Sequence, residues 1–182
     1  MSRETEAKIS LLEKDLAELR SKLKEYGARL CKPRLLEENT FFDFPDRRLQ
    51  EADSALRVRV YGKECMLTYK GASQEHPLLK LREEIETRVD DALELMSLLK
   101  IIGFECSFFY RKHREIYDLE LSSGLVEISL DETPFGCFAE IEGSEEAIQS
   151  AVDILGWDTT FFVNETYAQL YLKHTVQMSR SE

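Results

Sequence analysis

The sequence predicts an α+β fold in which eight antiparallel strands close a barrel with a charged lumen and helices packed outside. Three observations lead there. Strand-like stretches outnumber helical ones and follow one another in hairpins. Several of these strands place ionic groups at every second residue, as in Glu4-x-Glu6-x-Lys8, so that the charges share one face. The alternate residues are apolar and can bury against amphipathic helices, and about eight such strands suffice to close a barrel.

The first strand carries Glu4, Glu6 and Lys8 on one face and Thr5, Ala7 and Ile9 on the other. Over residues 10–26, Leu12, Leu16, Leu19 and Leu23 recur at helical spacing and Gly27 supplies a stop. A strand over 28–44 runs into the Pro45-Asp46 turn. Strands follow at 55–61 and 64–70 around Gly62-Lys63, and at 79–88 after a polar loop from Gly71 to Pro77. A helix over 90–102, with Leu93, Met96 and Leu99 on one stripe, stops at Gly103. Three strands near 106–121, 125–132 and 135–142 come next. The helix over 144–155 opens on Ser144 as N-cap, with Glu145 and Glu146 where the helix dipole favours carboxylates. A last helix over 164–174 closes a single domain of residues 1–174, and 175–182 read as a flexible tail.

Composition narrows the function. A chain of 182 residues with 43% hydrophobic content supports one core. Its net charge of −11 disfavours a general attraction to nucleic acid or to an anionic membrane, so any anionic ligand must be held locally. No apolar run approaches a membrane span and no signal-peptide pattern opens the chain. Cys31, Cys65, Cys106 and Cys137 are isolated and fit a reduced, cytoplasmic protein. His76, His113 and His174 lie in no zinc-ligand spacing.

At period two the charged faces comprise Glu4/Glu6/Lys8, Arg57/Arg59, Lys70, Arg82/Glu84/Glu86, Glu127/Ser129/Asp131, Lys112/Arg114 and Glu140/Glu142. A solvated outer face explains any one of them. Helices covering the apolar faces instead turn the charged faces into the lumen. Two like charges about 4 Å apart repel by roughly 4 kcal/mol at an effective dielectric near 20, so clustered carboxylates need a cation or an ion-pair lattice. Such a lattice stabilises poorly compared with an apolar filling, which favours a ligand channel. Carboxylates without His or Cys suit Mg²⁺ or Mn²⁺, and Arg and Lys grip phosphate oxygens. Together they specify a metal-bound polyphosphate cradled by strand side chains, since no P-loop is present.

These motifs, with Leu67-Thr68-Tyr69-Lys70-Gly71, the Asp131 of Leu130-Asp131 and Phe138-Ala139-Glu140-Ile141-Glu142-Gly143, resemble the CYTH family in order from residue 4 to about 170. That family of triphosphate tunnel metalloenzymes includes class IV adenylyl cyclases, thiamine triphosphatases and inorganic triphosphatases. The resemblance implies that Lys8, Arg57, Arg59, Lys70, Lys112 and Arg114 hold phosphates. It implies that Glu4, Glu6, Asp131, Glu140 and Glu142, with Glu84 and Glu86 as further candidates, hold Mg²⁺ or Mn²⁺. Tyr167 in Thr166-Tyr167-x-x-Leu170 resembles the family's C-terminal Ser-Tyr-x-x-Leu segment and is placed at a tunnel mouth. Glu140 and Glu142 would hold a metal that activates water. Lys70 is read as a phosphate clamp, with acid–base assistance as the alternative. The resemblance also implies pairing of two chains as a homodimer.

Attack by water makes the protein a triphosphatase, and attack by the ribose 3′-hydroxyl of ATP makes it a cyclase. Bacterial class IV cyclases resemble one another in a His-Phe pair just before Glu-x-Glu-x-Lys, whereas Met1, Ser2 and Arg3 stand before Glu4 here. Hydrolysis of a short polyphosphate or a nucleoside or thiamine triphosphate is therefore the expectation, with cyclisation the alternative. A polyphosphate-binding module without turnover and an acidic adaptor rank below both.

Overall fold

The computed structural model describes residues 2–74 and 79–178, with the side chains of 2–4, 159 and 176–178 outside that description. Its strands are β1 (Ser2–Leu11), β2 (Arg29–Asp43), β3 (Ala55–Tyr61), β4 (Glu64–Lys70), β5 (Lys80–Val89), β6 (Glu105–Leu121), β7 (Gly124–Thr133) and β8 (Gly136–Glu142). They close a barrel in the order β1-β5-β4-β3-β2-β6-β7-β8. The helices are α1 (Asp15–Glu25), α2 (Arg48–Glu51), α3 (Ala92–Ile101), α4 (Glu145–Leu155) and α5 (Tyr167–Met178). The chain clusters into two compact units, one joining the residues up to Thr5 with Arg34–Arg114, the other joining Glu6–Pro33 with Glu115 onward.

In the first unit, β3 pairs antiparallel with β2 and β4, and β4 with β5. Their apolar faces meet α3 in a core of Phe42, Val58, Cys65 and Leu99, flanked by Leu56, Val60, Leu67, Val89, Ala92, Leu95, Met96 and Phe104. Asp91 caps α3 by accepting from the amides of Leu93 (2.8 Å) and Glu94 (2.9 Å). The expected stripe is corrected at Leu93, which is 73% exposed. At about 100° per residue Leu93 lies some 120° from Leu99, whereas Ala92, Leu95 and Met96 fall on Leu99's side. Ile85, expected to bury beneath a helix, is 48% exposed, because the α3 core takes only Val89 from β5. Gly62 turns β3 into β4 at φ +60°, and a Cβ there would also sit 3.1 Å from Leu35.

In the second unit, β8 pairs antiparallel with β1 and β7. Ala7, Ile9, Val126, Ile128, Leu130, Ala139 and Ile141 bury together with Leu16, Leu19 and Leu23 of α1 and Ala147, Ile148, Ala151, Val152 and Leu155 of α4. Arg20 of α1 donates to Glu115 (2.5 Å) and Glu132 (3.0 Å), tying the helix to the sheet. Ser144 caps α4 by accepting from the Ala147 amide, and Gly156 ends it in a left-handed conformation. Helix α5 continues to Met178, past the position where the sequence placed a tail, and 179–182 lie outside the described residues.

Candidate active site

Alternation along β2 puts Glu37, Asn39 and Phe41 on one face and Glu38, Thr40 and Phe42 on the other. Glu37 is 1% exposed, and its carboxylate meets Lys112 Nζ at 3.4 Å and Arg114 Nε at 3.9 Å. The amide of Asn39, itself fully buried, donates to Glu37 Oε1 at 2.9 Å. Antiparallel register sets Arg59 opposite Asn39 and Arg57 opposite Phe41. Burial alone would raise the Glu37 pKa, but Lys112, Arg114, Arg59 and Arg57 together hold it well below the ordinary carboxylate value. The group is ionised at the centre of four cations.

Arg59 Nη2 pairs with Glu86 Oε2 at 3.0 Å. Among the described residues, Arg57 Nε is buried without a hydrogen-bond partner. Burial opposes charge on Arg57, yet Tyr110, Glu37 and Glu84 hold its pKa above the usual value. A half-buried guanidinium whose Nε finds no hydrogen-bond partner among the described residues, beside three further cations, is suited to an anion.

The neighbouring strands extend this face. Lys70 Nζ pairs with Glu84 Oε2 at 3.1 Å, its register partner. Glu86 also accepts from Thr68 Oγ1 at 2.7 Å. Arg82 Nη2 pairs with Asp53 Oδ1 at 3.0 Å, while Asp53 Oδ2 accepts from the Ser73 amide (2.8 Å) and hydroxyl (2.6 Å). Glu84 and Glu86 stand here as counter-charges to Lys70 and Arg59.

In the second unit, Lys8 Nζ contacts Glu140 Oε1 at 3.1 Å, donates to the Glu165 carbonyl at 3.3 Å and lies 4.2 Å from the centroid of the Tyr167 ring. The Tyr167 hydroxyl donates to Asp131 Oδ2 at 2.5 Å, and Asp131 is 0% exposed. A reciprocal capping box positions this tyrosine: the Thr166 amide donates to Gln169 Oε1 (2.8 Å) and the Gln169 amide to Thr166 Oγ1 (3.3 Å). Tyr167 is thereby fixed as the first residue of α5, with Phe135 and Phe138 packed around its ring.

Register also sets Glu6 opposite Glu142 and Glu142 opposite Glu127. Like charges directly opposite one another on a sheet are destabilising, and a hard divalent cation with oxygen ligands relieves them. Carboxylate oxygens are donors of the kind that suit Mg²⁺ or Mn²⁺, and among the described residues no three His, Cys, Asp or Glu groups converge closely enough to hold an ion. The side chain of Glu4, expected to join them, lies outside the described residues.

Of the expected phosphate-binding residues, the structure gathers Arg57, Arg59, Lys112 and Arg114 around Glu37, sets Lys70 against Glu84, and sets Lys8 against Glu140 and Tyr167. Sequence reasoning missed Glu37, Asn39, Asp53 and Thr68, and named Glu127 and Arg82 only as members of charged faces. Glu37 was obscured by Glu38 beside it, which points outward and accepts from Arg111 at 2.7 Å. Continuing the period of two back from Phe41 through Asn39 would have picked it out.

Comparison with known proteins agrees with the fold. A Methanocaldococcus jannaschii protein provisionally named an adenylate cyclase is 32% identical over 153 residues, covering 84% of this chain and 83% of its own length. A Vibrio parahaemolyticus structure, also provisionally named an adenylate cyclase, superposes with a TM-score of 0.78 at 18% identity, covering 94% of this chain and 99% of its own. A Hippeastrum protein named as an adenylyl cyclase candidate and described as having a dominant triphosphatase activity gives a TM-score of 0.68 at 20% identity, with 94% and 96% covered. The family profile of the CYTH domain matches residues 2–175, and with the barrel and its charged strand faces in view, the chain belongs to the CYTH family.

Proposed function

We propose that the protein is a metal-dependent triphosphatase that hydrolyses a phosphoanhydride of tripolyphosphate or of a nucleoside or thiamine triphosphate. The observation that carries this reading is the set of half-buried Arg57 and Arg59 and buried Lys112 and Arg114 around Glu37, with an Arg57 Nε that finds no hydrogen-bond partner among the described residues. Phosphoryl transfer asks a protein mainly for in-line positioning and for cancellation of charge on the transferring group. Fixed cations supply that cancellation without reorganising during the reaction.

In this reading Arg57, Arg59, Lys112 and Arg114 bind the phosphate chain, and Glu37 keeps Lys112 and Arg114 oriented. Lys70 exchanges Glu84 for phosphate oxygens as substrate enters. Glu6, Glu140 and Glu142, with Glu4, hold Mg²⁺ or Mn²⁺, which when bound neutralises phosphate charge and lowers the pKa of water. The oxygen of water bonds to phosphorus, the bridging oxygen leaves with the remaining phosphates, and a proton is released.

Cyclisation of ATP is the second reading, favoured by the name of the Methanocaldococcus jannaschii relative. Incubation with Mg²⁺ or Mn²⁺ and, separately, tripolyphosphate, thiamine triphosphate and ATP discriminates the two. Phosphate release is the expected result. Cyclic AMP and pyrophosphate as main products would replace the first reading with the second.

A further inference from the structure

Beyond the cations, the same faces of β2 and β6 change character. Phe41 follows Glu37 and Asn39 on one strand, and Tyr110 and Phe108 precede Lys112 and Arg114 on the other. The three rings form one set: Phe41 and Tyr110 stack at 6.0 Å and 21°, Phe41 and Phe108 lie 5.9 Å apart, and Phe108 and Tyr110 lie 5.6 Å apart. Tyr110 is buried, whereas Phe41 and Phe108 keep part of their surface exposed. Phe109, between Phe108 and Tyr110, faces the other way and carries the Arg111 guanidinium 5.2 Å from its ring.

Continuity with the phosphate-binding cations distinguishes this set from ordinary core packing. Phe41 is the register partner of Arg57, whose own partner on β4 is Thr68, so ring, guanidinium and hydroxyl form one rung. Tyr110 and Phe108 lie two and four residues from Lys112 on its own face, about 7 and 13 Å along the strand. A triphosphate gripped by Lys112, Arg114 and Arg57 directs whatever is esterified to its end along this face, towards Phe41 and Phe108. Aromatic faces there offer a flat ring a stacking surface, and Arg57 beside Phe41 adds a planar cation.

We propose that Phe41 and Phe108, backed by the buried ring of Tyr110, seat a flat aromatic ring joined to the triphosphate, so that the protein prefers a ring-bearing triphosphate to inorganic tripolyphosphate. The proposal rests on the triphosphate reading and names the substrate class within it. A nucleobase and the rings of thiamine share the required chemistry.

The test compares wild type, Phe41→Leu and Phe108→Leu, which roughly keep side-chain bulk and remove the π face, on ATP, thiamine triphosphate and tripolyphosphate. The readout is the KM of each ring-bearing substrate divided by that of tripolyphosphate, in which loss of folded protein cancels. Each variant should raise this ratio about tenfold, in line with stacking contributions measured by truncation. A rise with ATP alone identifies a nucleobase, and a rise with thiamine triphosphate alone identifies thiamine. An unchanged ratio for both, or a wild type that handles tripolyphosphate as well as either, overturns the ring seat. Calorimetric binding of the same compounds with Mg²⁺ separates the two readings. If wild type hydrolyses none of them but binds ATP more tightly than tripolyphosphate and Phe41→Leu abolishes the difference, hydrolysis falls and the ring seat stands. Equal binding of all three overturns the ring seat whatever the turnover.

Discussion

Replacing Glu37 with Gln tests whether the buried cation cluster is the anion's seat. The amide can keep the Asn39 contact on its oxygen while removing a carboxylate that meets both Lys112 and Arg114. Removing one partner of a buried ion pair costs about 3–5 kcal/mol. A chain of this size loses about 2–4 °C of Tm per kcal/mol, so the free variant should melt roughly 6–20 °C lower. The ligand should reverse the order of effects. Each phosphate charge held roughly 7 Å from the lost carboxylate gains about 2 kcal/mol at an effective dielectric near 20, or more than tenfold in affinity. Thermal shift with and without tripolyphosphate is the assay, and Glu37→Gln should show a ligand-induced rise several degrees larger than wild type. An equal or smaller rise would place the phosphates elsewhere and refute the reasoning.

Acid unfolding adds a second reading of the same residue. Because its folded pKa is depressed, the stability Glu37 contributes is fully present above the unfolded carboxylate value of about 4.3 and is lost as the pH falls towards the folded value. The gap in unfolding free energy between wild type and Glu37→Gln, measured by urea titration, should therefore be constant at neutral pH and narrow below about pH 4; a gap that widens on acidification would contradict it. Tyr167→Phe deletes the hydroxyl that donates to buried Asp131 and should cost about 2 kcal/mol, read as a lower urea midpoint. Unchanged stability would mean that the bond contributes nothing to anchoring α5. EDTA should abolish phosphate release and Mg²⁺ or Mn²⁺ restore it, and Glu142→Ala should require more metal for half-maximal rate; full activity without metal would exclude the metal-dependent mechanism. Arg59→Ala should raise the KM for tripolyphosphate at least tenfold, and an unchanged KM would remove Arg59 from the phosphate-binding set.

Where structure depends on local pattern, the sequence was readable. Strands β3 and β4 occupy 55–61 and 64–70, as period-two alternation and the Gly62-Lys63 turn predict. The cap at Ser144 is likewise local, depending on residues within one turn of the helix. Helix α1 begins later than its leucine pattern suggests, because β1 continues to Leu11, which pairs with Cys137 of β8. The four-residue α2 has no period to detect. It is held from a distance by Asp43, which accepts from the amides of Leu49 and Gln50. The start of α5 was legible in principle, since Thr166-x-x-Gln169 is a capping-box pattern.

Which side chains share a face follows from residue order alone, since alternation along a strand is a property of the backbone and needs no partner. Glu6 with Lys8, Arg57 with Arg59, Lys112 with Arg114 and Glu140 with Glu142 could all be grouped before any fold was known. Which charges meet depends on the folded chain, because Coulomb energies depend on register and burial, and both are set by residues far away in sequence. Register put Glu84 against Lys70, and burial made Glu37 the hub of four cations. The same pairing brought Phe41 next to Arg57. From sequence the charged faces could be matched to a triphosphate, whereas the partner of each charge came from strand pairing.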